Sequence, residues 1–289
     1  VQKQQNPTPE KQPLKLTEIL DAMFNIYRKH FNIFLRIIIV FWVGDFTIDM
    51  ITMYLIKSEP TQLMFLPTYR ILPYLFLFIF VSGAVSYASA QIYLDRNITA
   101  VQTLRHTWQR YSTLIGCTII YALVATGLVI TCIGIPVAIY FFIRWGLHGL
   151  PILVEETTAT TALRRSTELV KGTWWRVCGI ITALLLIYHA IQLITSTSII
   201  SLLFLIPGAV EIPQDADMLQ TINVIVDPAP HHVGWIVYTV RTCLTNAIET
   251  LTLPIPAIGS TLLYYDLRIR KEAYDIEIQA TNERTTQQE

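Results

Sequence analysis

Charge is what this sequence has least of. Asp, Glu, Lys and Arg make up 15% of its 289 residues, where soluble domains carry roughly 25%. A soluble surface of this size is not built from so few charges, and 53% of the chain is hydrophobic. The 21 basic and 21 acidic residues cancel, which argues against a strongly basic nucleic-acid binder and against an acidic solvating tail. Cysteine is scarce as well. Cys117, Cys132, Cys178 and Cys243 all sit in apolar stretches, without paired spacing or a neighbouring His, so they read as buried thiols and not as a zinc or dithiol site. Also missing are a glycine-rich phosphate loop and a nucleophile with an adjacent base. The expectation is no catalytic residue, no cofactor and no metal.

What the chain does have is long uncharged stretches. Residues 111–143 and 177–210 contain no charged side chain, and each run exceeds the roughly 20 helical residues that cross a hydrocarbon core. Apolar segments of spanning length occupy about 33–56, 71–94, 112–132, 135–154, 176–198 and 233–265. As one helix the first uncharged run would be about 50 Å long, so Thr131-Cys-Ile-Gly-Ile-Pro136 reads as a tight hairpin between the third and fourth spans. The fifth stays apolar as far as Ile206-Pro207-Gly208. It is either one long tilted helix or a span with a short interfacial or re-entrant piece. Pro254 and Pro256 should kink or interrupt the sixth.

Of the 21 basic residues, 17 fall before or at the start of span one, between two and three, between four and five, or after six. The other side has Lys57 and Arg70, and the loop from Pro207 to Gly234 carries Glu211, Asp215, Asp217 and Asp227 with no Lys or Arg. The positive-inside rule then predicts a multi-pass protein of the cell membrane with both termini cytoplasmic. Residues 1–13 are polar and proline-bearing, with no signal-peptide core, and read as a disordered tail. Val1 in place of Met points to a start that was processed or is missing. The membrane domain would be 14–275, with an outer loop at about 207–232 and a polar cytoplasmic tail over 276–289.

Before each odd-numbered span lies a segment of amphipathic helical spacing. Leu16, Ile19, Leu20, Met23 and Tyr27 oppose Glu18, Asp21, Asn25 and Arg28. After a Thr99/Gln102 capping-box spacing, Ile98, Val101, Leu104, Trp108 and Tyr111 oppose Arg105, Gln109 and Arg110. Leu163, Val170 and Trp174 oppose Arg164, Arg165, Glu168 and Lys171. Basic helices with aromatic ends suit the membrane–water interface. Asp95 precedes Thr99 by four residues, Glu156 precedes Thr160 by four, and the two joints are 61 residues apart. Seven residues before Asp95, Glu156 and Asp266 stand Ala88, Gly149 and Gly259, small enough for close helix contact. The expected fold is all-α, a six-helix transmembrane bundle of three repeats, each an interfacial amphipathic helix followed by a transmembrane hairpin.

Three stretches carry a family resemblance: Leu16-Thr-Glu-Ile-Leu-Asp-Ala-Met-Phe-Asn-Ile-Tyr-Arg-Lys-His-Phe31, Ala162-Leu-Arg-Arg-Ser-Thr-Glu-Leu-Val-Lys-Gly-Thr-Trp-Trp175 and Tyr264-Tyr-Asp-Leu-Arg-Ile-Arg-Lys-Glu272. They resemble signatures of the glycerophosphoryl diester phosphodiesterase membrane-domain family and related uncharacterised prokaryotic membrane proteins, over about 14–275. The resemblance implies a membrane module and brings no phosphodiesterase with it. That enzyme's soluble barrel opens with a His-Arg pair and needs metal-binding carboxylates; no His here is followed by Arg, and no soluble domain's worth of residues remains.

Ionisable residues inside spans are costly and mark candidate sites. Asp45 and Asp49 lie one helical turn apart in span one, Arg144 and His148 likewise in span four, and Arg241 and Glu249 stand eight apart in span six, with Asn246 near. The expectation is mutual neutralisation, the two Asp against Arg144 and His148, and Arg241 against Glu249. Such a set either pins the bundle as a polar network, lines a wet path, or sits shallow enough to reach water. His189 reads as packing ahead of a proton relay. Asp227, His231 and His232, with Asp215 and Asp217 near, read as a solvated loop ahead of a metal site. Arg28, Lys29, Arg105, Arg110, Arg164, Arg165, Lys171, Arg268 and Arg270 are candidate contacts for anionic headgroups or a partner.

The first functional reading is a non-enzymatic scaffold or accessory subunit that engages membrane lipids or a larger membrane complex, with no nucleic acid involved. The alternative is a small transporter or channel with a polar path through the bundle. A membrane hydrolase of lipid phosphate ranks third, because it needs carboxylates and His converging at one depth.

Overall fold

The structure, a computed structural model, describes residues 15–58, 66–131, 134–204, 218 and 234–286. Among these residues all regular structure is helical. The N-terminal tail, Cys132 and the candidates Asp215, Asp217, Asp227, His231 and His232 lie outside them.

Helix α1 (Leu16–Lys29) starts where Glu18 accepts the Lys15 N–H at 2.6 Å. Its apolar stripe buries Ile19 and Met23 completely, and it packs chiefly on the last helix. Only His30 separates it from α2 (Phe31–Ser58), which pairs with α3 (Leu66–Tyr93) as an antiparallel hairpin. The pair is close because Gly44 has no side chain: a Cβ there would lie 2.5 Å from Leu77 Cδ2. Phe41 packs edge-on against Tyr74 and Phe78 beneath that contact.

Helix α4 (Ala100–Ile130) is a single helix of 31 residues, so the second amphipathic segment and the third span are continuous. The side it turns to the protein also differs from the expectation. Ala100, Thr103 and Thr107 are buried, while Val101 is 75% and Trp108 67% exposed. In lipid the large apolar groups lose nothing by facing outward, and small residues let helices approach; the threonine hydroxyls return to carbonyls of their own helix, Thr103 to Thr99 and Thr107 to Thr103, each at 3.0 Å.

The hairpin after α4 lies where Gly and Pro placed it. Thr131 Oγ1 accepts the Gly134 N–H at 3.1 Å, and α5 (Ile135–Trp145) begins with Pro136 in its first turn. The fourth span then breaks at 146–148 and resumes as α6 (Gly149–Val154). After α7 (Ala159–Val170), Gly172 takes φ +85 and α8 (Trp174–Phe204) follows, with Trp174 opening it and not ending α7. α8 is the long continuous helix of the two alternatives for span five. The sixth apolar segment is two helices, α9 (Trp235–Thr252) and α10 (Pro254–Thr286), divided at Leu253 by the prolines. The polar tail expected from 276 belongs to α10 as far as Thr286.

Among the described residues, five stretches are long and apolar enough to cross a membrane: Phe31–Thr52, Arg70–Tyr93, Ala100–Ile130, Ile135–Val154 and Trp174–Ile199. Asp95 and Glu156 both adopt left-handed backbone, φ 56 and 53, an unusual state for residues with a Cβ. They stand in the turns that lead into α4 and α7. The caps differ: Thr99 caps α4 as expected, whereas α7 is capped at Thr158, two residues before Thr160. Asp266 has no such joint, because α10 runs straight through it.

Candidate functional site

Two polar tiers stand between α2, α3 and α9. In the outer tier Arg70 Nε binds Asp49 Oδ1 at 2.9 Å, and Asn246 Nδ2 donates to Asp49 Oδ2 at 3.0 Å. One turn further from the outer ends of α2 and α3 are Asp45 and Tyr74. There Tyr74 OH donates to Glu249 Oε1 at 2.9 Å. Asp45 is 1% exposed, and neither carboxylate oxygen has a hydrogen-bond partner among the described residues. Asp49, Glu249 and Arg70 are the charges nearest in effect to it. The outer tier is therefore a compensated ion pair, and the inner tier holds two carboxylates with one hydroxyl donor. Among the described residues no group of three His, Cys, Asp or Glu is arranged to hold a metal ion.

The expected pairing of the aspartates with Arg144 and His148 is not what forms. Arg144 reaches back along its own helix to Tyr140 OH at 2.8 Å, and His148 Nδ1 lies 2.8 Å from the Trp145 carbonyl with its ring stacked on Tyr121. Both belong to α5 and the break after it, away from α2. Arg70 takes the role instead, because the antiparallel α2–α3 hairpin brings the start of α3 to the end of α2. Arg241 sits partly buried on α9, two turns before Glu249.

Beside the inner tier is a cavity of about 1010 Å³. α3 and α5 wall one side, α8, α9 and the start of α10 the other, and the lining is mostly apolar. Polar groups gather at Tyr74, Tyr188, His189, Gln192 and Glu249. Gln192 Nε2 is held on Thr252 Oγ1 at 2.6 Å. Leu75, Phe142 and Leu193 are on the rim and exposed, so the opening faces where lipid chains would lie. A second cavity of about 250 Å³ adjoins it through Gly146, Leu147 and Ser260 and is bordered by His148. Of the six expected network residues, then, Glu249 lines the large cavity and His148 the small one, while Asp45, Asp49, Arg144 and Arg241 line neither. Among the described residues neither of these two cavities joins all six.

Three stretches that border the cavity carry a proline or a break where they meet it. Pro73 lies inside α3 just before Tyr74. Gly146 and Leu147 belong to the break between α5 and α6, and Leu253 and Pro256 to that between α9 and α10. Irregular backbone at membrane depth is tolerated where it is buried or lines a cavity, and interrupted helices mark binding sites in many membrane proteins.

Four of the nine basic candidates at the other end of the bundle are occupied. Asp266, with a fully buried carboxylate, receives Arg176 at 2.9 Å and Arg270 at 3.1 Å. Glu155 binds Arg165 at 3.3 Å and Arg268 at 3.8 Å and accepts the Tyr264 hydroxyl, and Glu272 joins Arg165 at 3.2 Å and Arg268 at 2.7 Å. Burial works against both guanidinium charges; Glu155 and Glu272 outweigh it, so Arg165 and Arg268 sit above the usual arginine pKa. Arg110 pairs with Glu156. Arg110, Arg165 and Arg268 are thus tied to carboxylates outside their own helices, and Arg270 to Asp266 one turn back on α10. Arg28, Lys29, Arg105, Arg164 and Lys171 are exposed, Arg164 with a loose partner in Glu168 at 3.7 Å.

Together the five apolar helices, the lipid-facing large side chains and the buried small ones define the build of an all-α, multi-pass membrane protein. Compared with known protein families, curated proteins and solved structures, the chain matches none.

Proposed function

We propose that this chain holds a membrane-soluble amphiphile in the large cavity and performs no covalent chemistry of its own. The cavity carries the reading: about 1010 Å³ of mostly apolar space, bounded by three disturbed helices and a few polar groups, has the volume and lining of a small-molecule site, which are usually roughly 300–1,000 Å³. In this reading α9 and the first turns of α10 make a sixth crossing and both termini are cytoplasmic. The left-handed joints at Asp95 and Glu156 support repeated units, the third having lost its joint in α10. The resemblance to the glycerophosphoryl diester phosphodiesterase membrane-domain family fits a module without the enzyme. Exposed Arg28, Lys29, Arg105, Arg164 and Lys171 would meet anionic headgroups or a partner subunit in the membrane.

The test is native mass spectrometry of the chain purified in mild detergent. The unmodified protein should carry a bound amphiphile, and Ser260→Trp, which sets a bulky ring where the two cavities adjoin, should lose it while keeping its helical content. A bare chain in every preparation would overturn the proposal. Transport is the second reading, favoured by the uncompensated inner tier next to two broken helices. It requires flux from the unmodified protein in liposomes and a changed flux in Glu249→Gln.

A further inference from the structure

We infer that the occupant of the large cavity is a lipophilic organic cation, seated with its charge on Glu249. This rests on the cavity being a binding site, as proposed above, and adds the chemistry of what enters it. Among the described residues the lining has one carboxylate, Glu249, and no Lys or Arg. Its other ionisable members are His189 and the tyrosines Tyr74 and Tyr188. A phosphate or carboxylate in this space would meet a like charge and no counter-ion.

The charge deficit is larger than Glu249 alone. The Tyr74 hydroxyl has one proton to give and gives it to Glu249 Oε1. Asp45, buried to 1% exposure, receives no donor among the described residues, and Arg70, the cation that acts on it, lies one turn nearer the start of α3 and is already on Asp49. A carboxylate kept from water without a partner is costly. A positive charge brought up beside Glu249 would lower that cost for both acids at once, and the low dielectric around the cavity strengthens the attraction. Apolar walls such as Phe78, Leu184 and Leu185 would take the body of the molecule. The exposed rim at Leu75, Phe142 and Leu193 gives it a route from the bilayer. A phospholipid with an amine head is disfavoured, because its phosphate would have to enter a space without a cation.

The experiment uses three probes of nearly equal shape and different charge: tetraphenylphosphonium, tetraphenylborate and neutral tetraphenylsilane. Each is measured for equilibrium binding to the full chain in phosphatidylcholine nanodiscs, over empty nanodiscs. Tetraphenylphosphonium should bind saturably, tetraphenylborate should not, and Glu249→Gln should weaken the phosphonium about tenfold or more, the size expected for losing one charge contact at low dielectric. Ser260→Trp should abolish binding. If the borate or the silane binds as well as the phosphonium and Ser260→Trp removes all of them, the cavity reading stands and the cation inference fails. If none of the three binds saturably, both fail. Should Glu249→Gln not fold, the phosphonium-to-borate ratio on the unmodified chain decides, with equal affinities counting against the inference.

Discussion

Arg70 and Asp49 join the start of α3 to the last turns of α2, guanidinium Nε to carboxylate Oδ1 at 2.9 Å, with Asp49 nearly out of reach of solvent and Arg70 about half exposed. The pair closes the hairpin above the inner carboxylates and sets the register in which Tyr74 meets Glu249. Removing the arginine leaves a buried charge with Asn246 as its remaining partner.

Arg70→Gln should therefore destabilise the detergent-solubilised protein by about 1–3 kcal/mol, less than a fully buried pair would cost because Arg70 reaches water. Adding Asp49→Asn should restore most of the loss. The check is a double-mutant cycle on thermal or denaturant unfolding; additive losses would mean that the two side chains are not coupled.

Asp266 is shared by two arginines, Arg176 from the start of α8 and Arg270 one turn along α10. Arg176→Met or Arg270→Met alone should cost about 1–2 kcal/mol, and the double variant more than their sum, because only then is a buried carboxylate left uncompensated. Melting temperatures of the three variants measure it. A double loss no larger than the sum would show that one arginine alone does the compensating.

Gly259 lets α10 lie against α8: a Cβ there would stand 2.5 Å from Leu184 Cδ2 and 2.8 Å from Cδ1. Gly259→Val should cost about 1–3 kcal/mol by overpacking, and Leu184→Ala in the same chain should recover part of it. Unfolding curves that show no recovery would place the strain elsewhere.

Much of this architecture could be read from the residues. Charge-free runs mark most of the spans, Gly134 and Pro136 mark the α4–α5 hairpin, and Pro254 and Pro256 mark the break before α10. The matching joints at Asp95 and Glu156 were visible as a 61-residue spacing and reappear as two left-handed residues. Three things were hidden. Which face of α4 packs inward is not set by hydrophobicity when the solvent is lipid, so the apolar pattern points to Val101 and Trp108 where Thr103 and Thr107 are the buried residues. The break at Gly146–His148 carries no proline, and Gly146 and Gly149 alone do not mark it within an apolar segment of spanning length. Partnerships across helices depend on register: Arg70 looked like an outer loop residue, yet it neutralises Asp49, and Arg144, the nominal partner, bonds within its own helix. Tyr188 and Gln192 gave no signal apart from lying on the same face of α8 as the cavity.

The orientation proposed for the chain follows from the distribution of Lys and Arg, and single cysteines in a cysteine-free background test it. Met218→Cys should react with an impermeant maleimide on intact cells, and Lys171→Cys only after permeabilisation. The reverse pattern would invert the protein in the membrane.

The most direct measurement is photo-crosslinking from two adjacent residues of α8 in native membranes. A benzophenone amino acid at Leu185 points into the cavity wall, and one at Leu186 stands on the exposed face. If the cavity is a binding site, Leu185 captures one defined amphiphile that excess tetraphenylphosphonium displaces, while Leu186 captures bulk phospholipid that it does not. The same mixture of bulk lipid at both positions, insensitive to competitor, would contradict the account.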